Sequence, residues 1–186
     1  MYILCDTCSV LMLIRIAPDM FCDDRYECVT IQEIFRTQKF KMRYPWRTKY
    51  KSKIKALEKS KVESGDFKLY LEAIQNIIGT GKINERTKRF FNLSYVDQRV
   101  AACSIAHGFK LTTVDDDLNG FVIQEFSGKT VSPLEIVNDW INKGLIKWND
   151  DIQFILEDWE KCNEHPQPKK EVKRFEKLTG FKYCGP

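Results

Sequence analysis

Four acidic side chains have the clearest potential for chemistry in this sequence. Asp6 and Asp115 each directly follow a short apolar run typical of a buried strand, whereas Glu33 and Asp97 open helical patterns. In an open α/β sheet, the carboxyl ends of the strands and the starts of the following helices meet at one edge. The pattern therefore predicts that these four carboxylates form one cluster.

Such a cluster suits a hard divalent cation such as Mg²⁺, which takes oxygen ligands from carboxylates, water and substrate phosphate. Carboxylates placed together raise one another's pKa, and a bound cation removes that cost. A bound cation can also lower the pKa of a water and stabilise the leaving oxygen in phosphodiester hydrolysis. We therefore predict an enzyme, a metal-dependent nuclease.

Other reaction classes find less support in the sequence. The two histidines, His107 and His165, lie outside any motif, and no Gly-rich phosphate loop is present, which disfavours serine or cysteine hydrolases and nucleotide-dependent enzymes. A haloacid-dehalogenase-type phosphohydrolase would need an Asp two residues after Asp6, where Cys8 stands. The paired acids and the lysine of a receiver domain have no convincing place either. The pair Cys5 and Cys8 lacks the second pair that a zinc site requires, so we interpret the seven cysteines mainly as buried thiols.

Hydrophobic runs and turn residues predict alternating strands and helices. The predicted strands are 2–5, 27–30, 110–114 and 121–124, and the predicted helices are 9–16, 66–78, 95–107, 133–143, 148–162 and 169–178. This alternation is typical of a parallel sheet covered by helices on both faces.

Two capping interactions are expected at helix starts. Ser9 can cap the first helix, and Thr30 with Glu33 matches the Ser/Thr-x-x-Glu capping box. The capping box is an alternative to a catalytic role for Glu33.

A strongly basic segment interrupts the domain. Residues 36–61 contain eleven Lys or Arg and one acidic residue, a net charge of +10, which leaves −6 for the rest of the chain. Its basic and aromatic residues suit phosphate pairing and base stacking. We predict nucleic-acid binding by Lys39, Lys41, Arg43, Trp46, Arg47, Lys49, Lys51 and Lys53. A solvated helix with its aromatics packed on the body, or a site for an acidic protein, are the alternatives.

Three stretches, 3–11, 29–34 and 93–118, resemble the PIN-domain family of metal-dependent nucleases, which includes the ribonucleases of toxin–antitoxin pairs. The third is the most specific, with an Asp-led helix, a glycine, a strand and Thr113-Val114-Asp115-Asp116-Asp117. The likeness spans roughly residues 1–140 and is weak between 36 and 90.

This resemblance implies a three-layer α/β/α sandwich with a mainly parallel central sheet, Mg²⁺ or Mn²⁺ dependence and single-stranded RNA as substrate. It assigns catalysis to Asp6, Glu33, Asp97 and Asp115. It implies metal ligands at Asp6, Asp97, Asp115 and Asp117, with support from Thr7 and Thr113. Many relatives carry Asn where Cys8 stands, and Asp116 is either a substitute ligand or a solvated loop residue.

The remaining expectations concern organisation and partners. We predict a nuclease domain at 1–144 with a basic helical insertion at about 36–62, and a helical extension at 145–186 packed on the same domain. No signal peptide or membrane span is predicted, so a cytoplasmic protein is expected. An antitoxin-type inhibitor and a homodimer are possible partners, and the alternative function is a nucleic-acid-binding module without catalysis.

Overall fold

The computed structural model describes residues 1–37, 47–161 and 166–186 of the chain. Four short strands form one all-parallel sheet in the order β2-β1-β3-β4. The strands are β1 (Ile3–Cys5), β2 (Cys28–Val29), β3 (Lys110–Thr112) and β4 (Thr130–Val131). The predicted α/β class and parallel sheet are therefore confirmed.

Nine α-helices lie within the described residues. They are α1 (Thr7–Leu13), α2 (Arg47–Lys51), α3 (Lys59–Val62), α4 (Phe67–Gly79), α5 (Tyr95–His107), α6 (Asp116–Phe126), α7 (Pro133–Asn142), α8 (Asp150–Lys161) and α9 (Lys169–Thr179). Two 3₁₀ helices, Asp24–Tyr26 and Gln32–Arg36, flank β2.

The helices pack as two groups. Helix α7 contacts α1 and α9, whereas α5 contacts α4 and α6. Buried residues in the central strands, such as Leu4 in β1 and Leu111 in β3, have no solvent exposure, as expected for a sheet covered on both faces. This arrangement is compatible with a three-layer sandwich.

Strand β1 is the point at which the connections change direction. Its neighbours are β2 on one side and β3 on the other. In open parallel sheets, ligands bind beyond the carboxyl ends of the strands at such a switch point. Asp6 directly follows β1, and Thr113 directly follows β3, so both lie at this position.

The predicted strand at 121–124 is wrong, because these residues lie inside α6. Leu118, Phe121 and Val122 are buried while Ile123 is exposed, a helical spacing that packs one face. A short apolar run cannot separate strand from helix by itself. The fourth strand is instead the two-residue β4, whose Val131 pairs with Thr112.

The C-terminal helices pack on the body through buried aromatic residues. Trp148, Trp159 and Phe175 are buried, and the indole N–H of Trp159 donates to the carbonyl oxygen of Met12 at 3.1 Å. Within the described residues, no helix combines the length and apolar character that crossing a membrane would require.

Candidate active site

Asp6 is the N-cap of α1 and is almost fully buried, with 3% of its surface exposed. Its Oδ1 accepts a 2.7 Å hydrogen bond from the backbone N–H of Ser9, and its Oδ2 accepts one of 2.7 Å from the hydroxyl of Thr113. The expectation that Ser9 caps this helix is wrong. Ser9 supplies a free N–H, because α1 begins at Thr7 and its N-cap is Asp6, directly after β1.

Asp97 is held by a capping box at the start of α5. The hydroxyl of Ser94 accepts from the Asp97 N–H at 3.2 Å, and Oδ2 of Asp97 accepts from the Ser94 N–H at 3.0 Å. Reciprocal bonds of this kind fix the carboxylate relative to the helix. No group within residues 1–37, 47–161 or 166–186 donates a hydrogen bond to its Oδ1.

Asp115 is the N-cap of α6. Its Oδ1 accepts from the N–H groups of Asp117 and Leu118 at 2.8 and 2.9 Å. Its own N–H donates to the Thr113 hydroxyl at 3.0 Å. Because that hydroxyl also donates to Asp6, Thr113 connects two of the predicted site carboxylates.

We call Asp6, Asp97 and Asp115 the carboxylate triad, because the charge of Asp97 acts on Asp6 and the charge of Asp115 acts on Asp97. Burial raises the pKa of Asp6 from 3.8 to about 6. Hydrogen bonds from Thr113 and Ser9 oppose this rise, and the charge of Asp97 adds to it. Burial also raises the pKa of Asp97. The bonds from Ser94 oppose that rise, and the charge of Asp115 adds to it. Mutual repulsion of this kind favours a bound cation.

Glu33 lies in the 3₁₀ helix Gln32–Arg36 and forms an ion pair with Arg99. Its Oε1 is 2.8 Å from Nε of Arg99, although the N–H does not point at that oxygen. The predicted capping box with Thr30 is wrong, because the helix begins after Ile31 and the Thr30 hydroxyl donates to the carbonyl oxygen of Cys5.

Arg99 was not among the predicted site residues. Its side chain is 7% exposed, and it donates a 2.8 Å hydrogen bond to Glu63 while lying over the rings of Phe67 and Tyr95. Burial lowers the pKa of Arg99, but Glu63 and Glu33 outweigh it and raise that pKa. The sequence does contain a signal for this contact, since Arg99 lies in a helix of small apolar residues. A buried cation requires an anionic partner, so this position predicts a nearby acidic side chain.

The other aspartates of the Asp115 loop contact a hairpin formed by residues 82–92. Asp117 accepts from the side-chain amide of Asn84 at 3.0 Å and from the N–H of Asn92 at 3.3 Å. Asp116 pairs with Arg86 at 3.0 Å. No sequence pattern pointed to Asn84, which is 1% exposed and fixes this loop through its bond to Asp117.

The predicted nucleic-acid-binding residues are only partly described. Lys39, Lys41, Arg43 and Trp46 lie outside the described residues, and Arg47 begins α2. Lys49, Lys51 and Lys53 are exposed, and Lys53 pairs with Asp19 at 2.9 Å. The predicted supporting residue Thr7 is buried at the start of α1.

Among the cavities formed by the described residues, two lie at opposite edges of the sheet. One of about 250 Å³ is lined by Asp115 of the triad and by Thr113, Asn119 and Pro168 among others. A larger one of about 500 Å³ lies at the amino edge beside Tyr2, Glu27 and Phe109. Only the smaller of these two cavities is lined by a triad residue, so it is the one in which a ligand could contact the candidate site.

The donor chemistry of the triad fits a hard cation, with carboxylate oxygens crowded by like charge. Within the described part of the chain, however, no three His, Cys, Asp or Glu side chains are grouped closely enough to hold a metal ion by themselves. Mg²⁺ commonly binds through one or two carboxylates, with waters and substrate phosphates completing its shell. The triad could therefore hold Mg²⁺ with one or two of its carboxylates, while waters and substrate phosphate supply the remaining ligands.

Comparisons with protein-family models, with curated proteins and with solved structures found no match to this chain. The resemblance to the PIN-domain family therefore stays a prediction based on the motifs.

Proposed function

We propose that this protein is a metal-dependent endoribonuclease of PIN-like fold that cleaves single-stranded RNA. One observation supports this above the others. Three carboxylates come from separate elements at the carboxyl edge of a parallel sheet, and the charge of Asp97 acts on Asp6 while that of Asp115 acts on Asp97. Titratable groups whose pKa is shifted by burial and by neighbouring charges are characteristic of functional sites.

In this proposal, Asp6, Asp97 and Asp115 hold Mg²⁺ or Mn²⁺. When bound, the cation would supply an activated water and stabilise charge on the phosphodiester. The chain's own contribution is to orient the carboxylates before substrate binds. Each is fixed by at least one hydrogen bond at its helix start, from Ser9, Ser94 or Leu118.

The proposal assigns Glu33 and Asp117 to supporting roles. The carboxylate of Glu33 neutralises the buried guanidinium of Arg99, which lies two residues after Asp97 on α5. Asp117 holds the 82–92 hairpin through Asn84 and Asn92. Both residues thus stabilise the elements that carry the triad.

RNA as the substrate class rests on charge and on the resemblance. The exposed lysines Lys49 and Lys51 belong to the +10 basic segment. Cationic side chains attract phosphate backbones in a sequence-independent way, so the segment suits a substrate of variable sequence.

A second candidate is a nucleic-acid-binding module without catalysis. The ion pair between Glu33 and Arg99 favours it, because a quartet that held a metal would leave Glu33 free. This module would bind RNA equally well in Mg²⁺ and in EDTA, and it would cut no substrate.

The deciding experiment is a substrate panel for the wild-type protein. Labelled single-stranded RNA, hairpin RNA and single-stranded DNA of matched sequence are incubated with Mg²⁺, Mn²⁺ or EDTA. The endoribonuclease proposal expects internal cuts in single-stranded RNA that require a cation. Salt-sensitive binding without cuts in any substrate would support the binding module instead.

A further inference from the structure

Residues 82–92 form a short hairpin fixed to the loop that carries Asp115. Ile83 and Phe90 form an antiparallel bridge, and the N–H of Phe91 donates to the carbonyl oxygen of Lys82 at 3.0 Å.

Both ends of this hairpin are attached to Asp117. The buried amide of Asn84 donates to Oδ1 of Asp117, and the N–H of Asn92 donates to its Oδ2. Asn84 also accepts from the N–H groups of Arg86 and Thr87, which fixes the turn. Because Asp117 lies in the first turn of α6, capped by Asp115, the hairpin has a fixed position relative to the triad.

The outer face of the hairpin is apolar and basic. Phe90 is 66% exposed and Ile83 is 49% exposed. Residues directly opposite in an antiparallel pair project from the same face, so these two side chains form one exposed apolar platform. A contiguous exposed apolar patch rimmed by polar residues marks an interaction site.

The charge of the hairpin is not neutralised locally. Residues 82–92 contain four basic residues and one acidic residue. Lys82 pairs with Glu125 and Arg86 with Asp116, whereas the exposed Lys88 and Arg89 form no ion pair with any residue that the structure describes. The turn therefore presents two cations, unpaired within the part of the chain that the structure describes, in the residues directly before an exposed aromatic ring.

We propose that this hairpin binds single-stranded nucleic acid, with phosphates on Lys88 and Arg89 and one base stacked on Phe90. The proposal deepens the proposed nuclease function and rests on it. It gives the strand a path from the triad over the hairpin. A cationic surface with an exposed aromatic ring is the combination that binds unpaired strands irrespective of sequence. An acidic protein surface would satisfy the cations but would leave the ring without a stacking partner.

The test measures binding rather than cleavage, so it is independent of the triad. Full-length protein is titrated in EDTA with fluorescently labelled 12-nucleotide single-stranded RNA, single-stranded DNA of the same sequence, the RNA duplex and poly-glutamate. The variants are Phe90→Ala, Phe90→Tyr and the double variant Lys88→Gln/Arg89→Gln. The charge-matched control is Lys129→Gln/Lys147→Gln, two exposed lysines near the amino edge of the sheet.

Phe90→Ala is expected to weaken single-strand binding roughly 5- to 100-fold, the scale of one lost base stack, while Phe90→Tyr stays near wild type. The Lys88→Gln/Arg89→Gln variant is expected to reduce the slope of log K against log salt by about 1.4, at about 0.7 per phosphate contact. The control should change neither quantity. A stronger effect on RNA than on DNA would identify RNA as the preferred strand.

Three results would overturn the proposal. One is the absence of any single-strand binding by the wild type in EDTA. Another is binding unchanged by both hairpin variants, and the third is weakened poly-glutamate binding with RNA binding intact, which would indicate an acidic protein partner. A wild type that binds through the hairpin but never cleaves would contradict only the nuclease function.

Discussion

The hydroxyl of Thr113 donates a 2.7 Å hydrogen bond to Oδ2 of Asp6, across 107 residues of sequence. It joins the carboxyl ends of the two central strands, and the same hydroxyl accepts from the N–H of Asp115. One side chain therefore sets the relative position of two triad members.

Replacing Thr113 with Val should destabilise the folded protein by about 1.5–3 kcal/mol at pH 7, because it removes a donor to a buried carboxylate. Urea denaturation measures the change. Thr112→Val is the matched control, since the Thr112 hydroxyl is 3.4 Å from another hydroxyl, that of Ser9, and touches no carboxylate. Equal losses in both variants would contradict the role given to Thr113.

Asp6→Asn should stabilise the metal-free protein at neutral pH. The folded-state pKa of Asp6 is raised from 3.8 to about 6, so the native state binds more protons than the unfolded state between these values. Stability therefore falls as pH rises from about 4 to about 6, by roughly 3 kcal/mol for this group. Asparagine retains the N-cap role, and the Thr113 hydroxyl can rotate to accept from its amide.

The measurement is the difference in unfolding free energy between Asp6→Asn and wild type, in EDTA from pH 3.5 to 8. The difference should grow through pH 4–6 and then stay level. A difference that is independent of pH would mean that Asp6 does not titrate in this range.

Divalent cations should raise the melting temperature of the wild type. A ligand at 100 times its Kd stabilises the native state by about 2.7 kcal/mol, which corresponds to a rise of about 5–10 °C for a chain of this size. Thermal denaturation with Mg²⁺ and Mn²⁺ checks this. Asp97→Asn should lose most of the rise, whereas Asp116→Asn, which removes a carboxylate paired with Arg86, should keep it.

The variant Glu33→Gln tests whether Glu33 acts as the ion-pair partner of Arg99 or as a ligand of the metal. Because Arg99 would keep Glu63 as a partner, the expected loss of stability is about 1–3 kcal/mol, with cleavage reduced less than 10-fold. Glu63→Gln should also lower the stability measured in denaturant, and it should likewise reduce cleavage less than 10-fold, because Glu63 contacts Arg99 and no member of the triad. If Glu33→Gln alone abolished cleavage at unchanged stability, Glu33 would belong to the metal site.

Local sequence signals predicted the parts of the site that depend on local structure. Asp6 directly follows β1, Asp115 lies three residues after the end of β3, and Asp97 lies in the first turn of α5, close to the positions that the sequence patterns predicted. The strand at 121–124 was mispredicted because the helix cap at Asp115 and packing on one face outweigh the β-propensity of a short run.

Long-range partners could not be predicted in the same way. The ion pair between Glu33 and Arg99 joins residues 66 positions apart, and the contact of Asn84 with Asp117 depends on how the hairpin docks on α6. The sequence shows which residues are charged, but which of them form ion pairs depends on the tertiary structure.

The most direct test of the central claim is single-turnover cleavage of labelled single-stranded RNA by three proteins in Mg²⁺. These are the wild type, the variant Asp97→Asn and the control variant Asp116→Asn, which changes the carboxylate beside Asp115 that pairs with Arg86. Asparagine at position 97 can still accept from the Ser94 N–H, so the fold is preserved. We predict cation-dependent internal cleavage by the wild type and the control, and a rate at least about 100-fold lower for Asp97→Asn, the scale of one lost electrostatic group. Equal rates for the three proteins would contradict the assignment of the triad.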